Sequence, residues 1–337
     1  MQPARNRRHS PVGKCFSAQW RDRVGVVPCT PRPPLSRRWN IPAVADEPFD
    51  TLDIDYHAPS QSLWMSYKAE GTPYYSLEIL NDIARLRDIL QEVFRRAPGD
   101  VHPLRYLVMA SNKPGVFNLG GDLAMFADAV RTADSRKLRM YAYACVELIH
   151  GLTTAFGLPI VTVSVVQGRA FGGGLEAALA EDFIIASPEA QMGVPEVAFN
   201  SFPGMGAVSL LSRRLGTARA EEIIASGALY SGRHMFELGV VDVPGRRARR
   251  PRFRQAVDGR GRLRSFCAKA VAGARPARAV PGLPHEELVR ITDMWVDCAL
   301  RRDAERHPAH GAACVRTKTT DRLDSHAIRH VALPEPR

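Results

Sequence analysis

The run Ile160–Val166, IVTVSVV, restricts this 337-residue chain more than any other stretch. Its β-branched side chains fit a pleated strand and crowd the preceding turn of a helix, so the run is read as a strand. Directly behind it stands Gln167–Glu181, QGRAFGGGLEAALAE, in which three successive glycines open a series of small, helix-forming residues. A strand passing through glycines into a helix belongs to a layered α/β fold.

The rest of the middle of the chain follows the same alternation. Leu52, Ile54 and Tyr56, then Leu63, Met65 and Tyr67, alternate with polar neighbours and predict two half-buried strands. Ser76 precedes Ile79, Ile83, Leu86, Leu90 and Val93 at helical spacing, and Pro98-Gly99 ends the run. Leu104–Ala110 has strand length, Leu138 to Leu152 forms a second helical stripe ending near Gly157, and Phe183–Ala186 is a further strand. Helices are expected around Val208–Leu215 and Ala220–Ala225, and at 285–300 with Leu288, Ile291, Trp295 and Ala299 on one face. No tandem repeat is present.

A formal net charge of +11 would suggest an anionic partner if it were spread along the chain. It is concentrated instead. Residues 1–45 carry nine Lys/Arg against the single acid Asp22, and residues 244–283 carry twelve against the single acid Asp258. What remains of the patterned region is net acidic, so no nucleic-acid partner is expected. The six cysteines form no CxxC pair and have no His at ligand spacing, which predicts free thiols in a reducing compartment and no metal. No apolar run reaches the ~18 residues of a membrane span, and none follows the basic N-terminus as in a signal peptide. A cytoplasmic location is the expectation.

Three segments carry candidate chemistry. Val116–Leu123, VFNLGGDL, places two glycines after a strand, where backbone N–H groups can face a ligand; an ordinary tight turn is the alternative. Gly172, Gly173 and Gly174 leave unpaired N–H groups at a helix N-terminus, with Glu176 in its first turn. Close packing around a solvated acid would give the same pattern. In Met192–Pro203, MGVPEVAFNSFP, Glu196 has apolar neighbours that would raise its pKa, unless it lies in an exposed turn. Glu181 and Asp182 are read as a helix end and a strand entry.

In this order, these segments resemble the crotonase (enoyl-CoA hydratase/isomerase) superfamily over residues 47 to 243. VFNLGGDL is similar to its first oxyanion loop, RAFGGGLEAALAEDFIIAS to its second loop with one catalytic glutamate, and GVPEVAFNSFPGMGA to the segment with the other. Within the superfamily, PGVFNLGGDLAMF and RITDMWVDCAL most resemble the synthases of diffusible signal factor, which make cis-2-unsaturated fatty acid signals. The resemblance implies an α/β crotonase (ClpP-like) ββα-superhelix fold with a C-terminal helical region. It implies Glu176 and Glu196 as catalytic residues and Gly120 and Gly173 as oxyanion donors, with Leu119 the adjacent alternative. Leu119, Met125, Phe126, Leu175, Val197 and Trp295 would contact the acyl chain, plain core packing being the alternative for the apolar ones.

The implied reaction is dehydration of a 3-hydroxyacyl thioester, on acyl carrier protein or CoA, and hydrolysis to the free acid, with no cofactor. An ordinary enoyl-CoA hydratase, or a crotonase-fold regulator binding RNA or protein, are the rivals. A homo-oligomer, trimer or hexamer of trimers, and a sensor kinase partner are also implied. The expected organisation is a disordered basic extension at 1–45, a catalytic core at 46–243, an irregular Arg/Pro-rich segment at 244–283, a helix at 284–303 and an irregular tail at 304–337. Lost periodicity together with acid depletion makes 244–283 read like high-GC DNA translated out of frame.

Overall fold

The computed structural model describes residues 40–98, 103–245 and 283–306. The expectations for 1–39, 246–282 and 307–337 lie outside those residues, the reading of 244–283 as frame-shifted among them.

Helix α1 (Ile41–Ala45) is capped by Asn40, whose side chain accepts the N–H of Ala43, and it buries Ile41 and Val44. The end of the stretch expected as an extension is therefore folded, because these two apolar side chains reach the core. Strand β1 (Leu52–His57) turns into β2 (Ser62–Tyr67), and Ser76 then caps α2 (Leu77–Arg96), accepting the N–H of Ile79. The expected stripe from Ile79 to Val93 is the buried face of that helix.

Three pairs of strands follow, and their pairing positions the site. Strand β3 (Tyr106–Ser111) leads to β4 (Val116–Asn118), β5 (Val161–Val166) to β6 (Arg169–Phe171), and β7 (Phe183–Ala186) to β8 (Gln191–Gly193). The first member of each pair joins a six-stranded sheet, whose order is β1-β2-β3-β5-β7-β10, with β10 at Val243–Pro244. The second member joins a four-stranded sheet ordered β4-β6-β8-β9, with β9 at Tyr230–Ser231. Among the described strands of the large sheet only β1 runs antiparallel to its neighbour.

Both faces of the central strands are buried. Trp64, Tyr106, Val108, Val161, Val163, Val165 and Ile185 pack together, while Leu63, Met65, Leu107 and Met109 alternate with them in the ladder. Burial on both sides is why IVTVSVV has no charged alternation. Asp182 accepts from the N–H and hydroxyl of Thr162 across the β5/β7 edge, in keeping with a strand-entry residue.

The helices are α3 (Leu123–Arg131), α4 (Ser135–Thr153), α5 (Gly173–Ala180), α6 (Ala207–Leu215), α7 (Thr217–Ser226), α8 (Gly232–Glu237) and α9 (His285–Arg306). Helix α3 was not expected. Its cap is Asp122, which accepts from Met125 N–H at 2.9 Å, so the acid of the GGD turn is a helix start. The buried line on α9 runs through Leu288, Val289, Thr292 and Val296, with Ile291, Trp295 and Ala299 beside it and half buried. The inner face is thus wider than the one expected: Trp295 and Ala299 still pack against the cluster that holds Val296, and Arg139 pairs with Asp293 and Asp297 on the adjoining flank.

Candidate active site

The three motifs meet because each begins where a strand of the small sheet ends. Strands β4, β6 and β8 are parallel neighbours, so their C-terminal ends lie side by side. Leu119-Gly120-Gly121 follows the first, Gly172-Gly173 the second, and Val194-Pro195-Glu196 the third. The carboxyl ends of parallel strands are where α/β folds place their ligands.

Glu176 lies in the first turn of α5 and is 1% exposed, so it is not the solvated acid that its position also allowed. Its Oε1 accepts from Met205 N–H at 3.0 Å and Ala207 N–H at 2.8 Å, which caps the N-terminus of α6. Burial raises its pKa first, the charge of Glu196 raises it further, and the two N–H groups pull it back. Glu196 opens a 3-10 turn at Pro195–Phe199. Burial raises its pKa as well, against its own backbone N–H. Its Oε2 is buried and meets no hydrogen-bond partner among the described residues, and its Oε1 stands against Gly172.

Two carboxyls that each resist ionisation and feel one another titrate as a pair, so near neutrality the pair still holds a proton to give. Such a pair can take a proton from one position and deliver one to another.

The backbone supplies the complementary charge. In the first turn, Leu119 N–H donates to Pro73 O at 2.7 Å and Gly120 N–H to Asn118 Oδ1 at 2.8 Å. Asp122 N–H donates to the Tyr141 hydroxyl at 3.0 Å. Neither Gly120 nor Leu119 is therefore available as the donor expected there; Gly121 N–H, between them and Asp122, meets no acceptor among the described residues. Gly173 is the first residue of α5, where N–H groups have no intrahelical partner. The two donors are held close: a Cβ on Gly120, which has φ +94°, would stand 3.0 Å from Gly173 N. Gly121 and Gly173 are the pair that can face a developing oxyanion.

The apolar candidates divide. Phe126 and Trp295 contact edge to face at 4.9 Å between centroids, and Met125 packs with them against Ala129, Leu138, Ala142 and Val296. Gly204 seats the Trp295 indole, and Met205 Sδ lies over Gly173. This aromatic wall adjoins the donor turn, since the Phe126 ring covers Gly121. Leu175 instead is fully buried, a core residue. Val197 is 37% exposed and packs on Gly227 at the end of α7. Sequence reasoning missed Gly121, Met205 and Gly204; the phrase FPGMGA held the last two but says nothing of where they point.

Cys145 is buried and Cys298 exposed, both as free thiols. Among the described residues no group of His, Cys, Asp and Glu is arranged to hold a metal, and no helix is long and apolar enough to cross a membrane.

Residues 82–244 match the family model described as enoyl-CoA hydratase/isomerase. Among solved structures, the chain is similar to the enoyl-CoA hydratase of Geobacillus kaustophilus HTA426 at 22% identity and a TM-score of 0.57, covering 76% of this chain and 90% of that one. It is similar to the enoyl-CoA hydratase of Bacillus halodurans at 17% identity and a TM-score of 0.54, covering 77% and 100%. The paired parallel strands and covering helices are the crotonase fold.

Proposed function

We propose, from a crotonase fold whose residues 82–244 match enoyl-CoA hydratase/isomerase, that this chain dehydrates a 3-hydroxyacyl thioester and then hydrolyses it, releasing a 2-unsaturated fatty acid of the diffusible-signal class. The observation that carries the reading is the convergence of Glu176, buried, and Glu196, half-buried with its Oε2 out of solvent, both held toward the protonated form, on two spare N–H donors, Gly121 in the first turn and Gly173 at the start of α5.

With the thioester oxygen between Gly121 and Gly173, the ionised carboxylate removes the α proton and the electron pair moves onto that oxygen. The enolate collapses, the C–O bond at the β carbon breaks, and the protonated carboxyl gives its proton to the departing hydroxide as water. General acid–base catalysis of this kind contributes roughly 10²–10⁴-fold. Hydrolysis uses the same donors: water adds to the carbonyl, a carboxylate takes its proton, and the thiol leaves. Glu196, with one oxygen unpartnered, is the better placed of the two to hold that water; Glu176 is tied to α6.

The finer part of the reading is supported by the phrases PGVFNLGGDLAMF and RITDMWVDCAL. The family match and the neighbours support an ordinary enoyl-CoA hydratase equally. Incubation with 3-hydroxyacyl carrier protein and 3-hydroxyacyl-CoA, followed by mass spectrometry, separates them. Free 2-enoic acid is expected; 2-enoyl-CoA without release would replace signal synthesis by hydration.

A further inference from the structure

The Tyr141 hydroxyl stands where the segment of Tyr75 pairs with the turn at Gly121. Tyr75 and Gly121 form an isolated parallel bridge, in which Tyr75 N–H donates to Gly120 O at 2.8 Å. The other half of the bridge pairs Asp122 with Tyr75, and the phenol engages both: it accepts from Asp122 N–H at 3.0 Å and donates to Tyr75 O. One hydroxyl, carried in from α4, thus clamps the two segments at the bridge.

Everything else around that turn is already fixed. Leu119 N–H, Gly120 N–H and Gly120 O are bonded to Pro73, Asn118 and Tyr75. Tyr141 is 1% exposed, its ring meets Phe126 at 5.1 Å between centroids, and its hydroxyl would lie 3.6 Å from a Cβ on Gly121. The phenol is therefore the contact that sets where Gly121 N–H points, and it is locked by burial. Cys145 lies one turn along α4, and its thiol is raised by burial first, with the charge of Glu176 adding to it.

We propose that Tyr141 is a positioning residue for the oxyanion site: its hydroxyl, clamping the Tyr75–Gly121 bridge, aims the Gly121 N–H at the thioester oxygen. The proposal rests on the acyl-thioester reading. It differs from the general requirement for donors in naming the side chain that aligns one of them, and in predicting an effect on carbonyl polarisation without contact to substrate.

The test is Y141F, which keeps the ring and removes the hydroxyl that bonds both segments. A chromophoric enoyl thioester such as 4-(dimethylamino)cinnamoyl-CoA reports polarisation of its carbonyl as a red shift per bound molecule, a readout independent of the folded fraction. The wild type should shift the probe, and Y141F should bind it within about threefold as tightly but shift it by less than about half as much. Removing one such donor outright lowers kcat by ~10²–10³-fold, so misaligning it should lower kcat by about 10–100-fold at nearly constant KM. Equal shifts in the two proteins would overturn the proposal alone. A wild type that binds the probe without shifting it, or does not bind it, would overturn the thioester reading and the proposal with it.

Discussion

Glu196 Oε1 occupies the space into which any side chain at position 172 would grow: a Cβ on Gly172 would stand 2.5 Å from it. Gly172 also has φ +51° and ψ −124°, a backbone state that residues with a Cβ avoid. The glycine before α5 is thus a condition for the second carboxylate to be where it is.

Gly172→Ala should therefore combine two losses. Strain at such a dihedral costs about 1–3 kcal/mol, and displacement of Glu196 should lower kcat by at least about 100-fold. Thermal unfolding and steady-state assays on the purified variant check both, and a variant with near-normal kcat would show that Glu196 does not need this position.

E176Q and E196Q should each lower dehydration by roughly 10²–10⁴-fold, the range of a single acid–base group. They should differ in stability. The amide oxygen introduced by E176Q can still accept one of the two N–H groups at the start of α6, yet the variant loses a charge-assisted cap, which is typically worth about 1 kcal/mol. Because burial holds Glu176 toward its protonated form as well, Tm of E176Q minus Tm of wild type should also rise with pH, and the lost cap is read as the amount by which E176Q lies below E196Q.

For E196Q the dependence on pH has a definite sign. Unfolded, the carboxyl ionises near its ordinary 4.5; folded, burial keeps the proton to higher pH. Between those values the native state binds more protons than the unfolded one, so stability falls as pH rises. Glutamine has no proton to lose, so Tm of E196Q minus Tm of wild type should increase from about pH 5 to about pH 8. A flat difference would mean that Glu196 ionises normally.

His285 is raised by a partner instead of by burial. Its Nε2 meets Glu147 Oε1 at 2.7 Å where α9 begins, and this bond lifts its pKa above 6.5 against partial burial. The stabilisation is fully present below about 6.5 and is lost as pH rises through the folded value. His150 stacks edge to face on His285 and is held low by burial, and Glu286 is the other charge nearby. In H285Q those groups remain, so the Tm gap to wild type should be larger at about pH 6 than at about pH 9, read on Trp295 fluorescence as α9 detaches.

Much of the fold was legible because its long elements carry their reasons locally. Ile160–Val166 is β-branched, α2 has Ser76 as cap, and the stripe from Leu138 to Leu152 lines α4. The small sheet was not legible. Its strands Val116–Asn118, Arg169–Phe171 and Gln191–Gly193 have three residues each, too few for a period of two to show. Helix α3 was hidden because it is short: its apolar face of Met125, Phe126, Ala129 and Val130 spans under two turns, and Asp122 read as part of a turn.

The site was legible in part. Glu176, Glu196 and Gly173 were named from motif order, and the structure brings them together. The choice among Leu119, Gly120 and Gly121 could not be made from sequence, since it depends on which N–H groups Pro73 and Tyr141 engage from distant parts of the chain and which one the Asn118 side chain turns back to meet. The exposed position of Val197 and the core position of Leu175 likewise follow from how the 3-10 turn and α5 are rotated, which neighbours in sequence do not decide.

The side-by-side ends of β4, β6 and β8 have a consequence for how such a protein can change. Adjacent strands lie roughly 4.8 Å apart, so the spacing of donor, helix start and acid is set by main-chain pairing and not by the residues that do the chemistry. Each strand end can then be exchanged by itself, an acid for another group or one turn for another, while the other two stay in register. The small sheet behaves as a rack with three slots, and new reactions need only a different occupant in one of them.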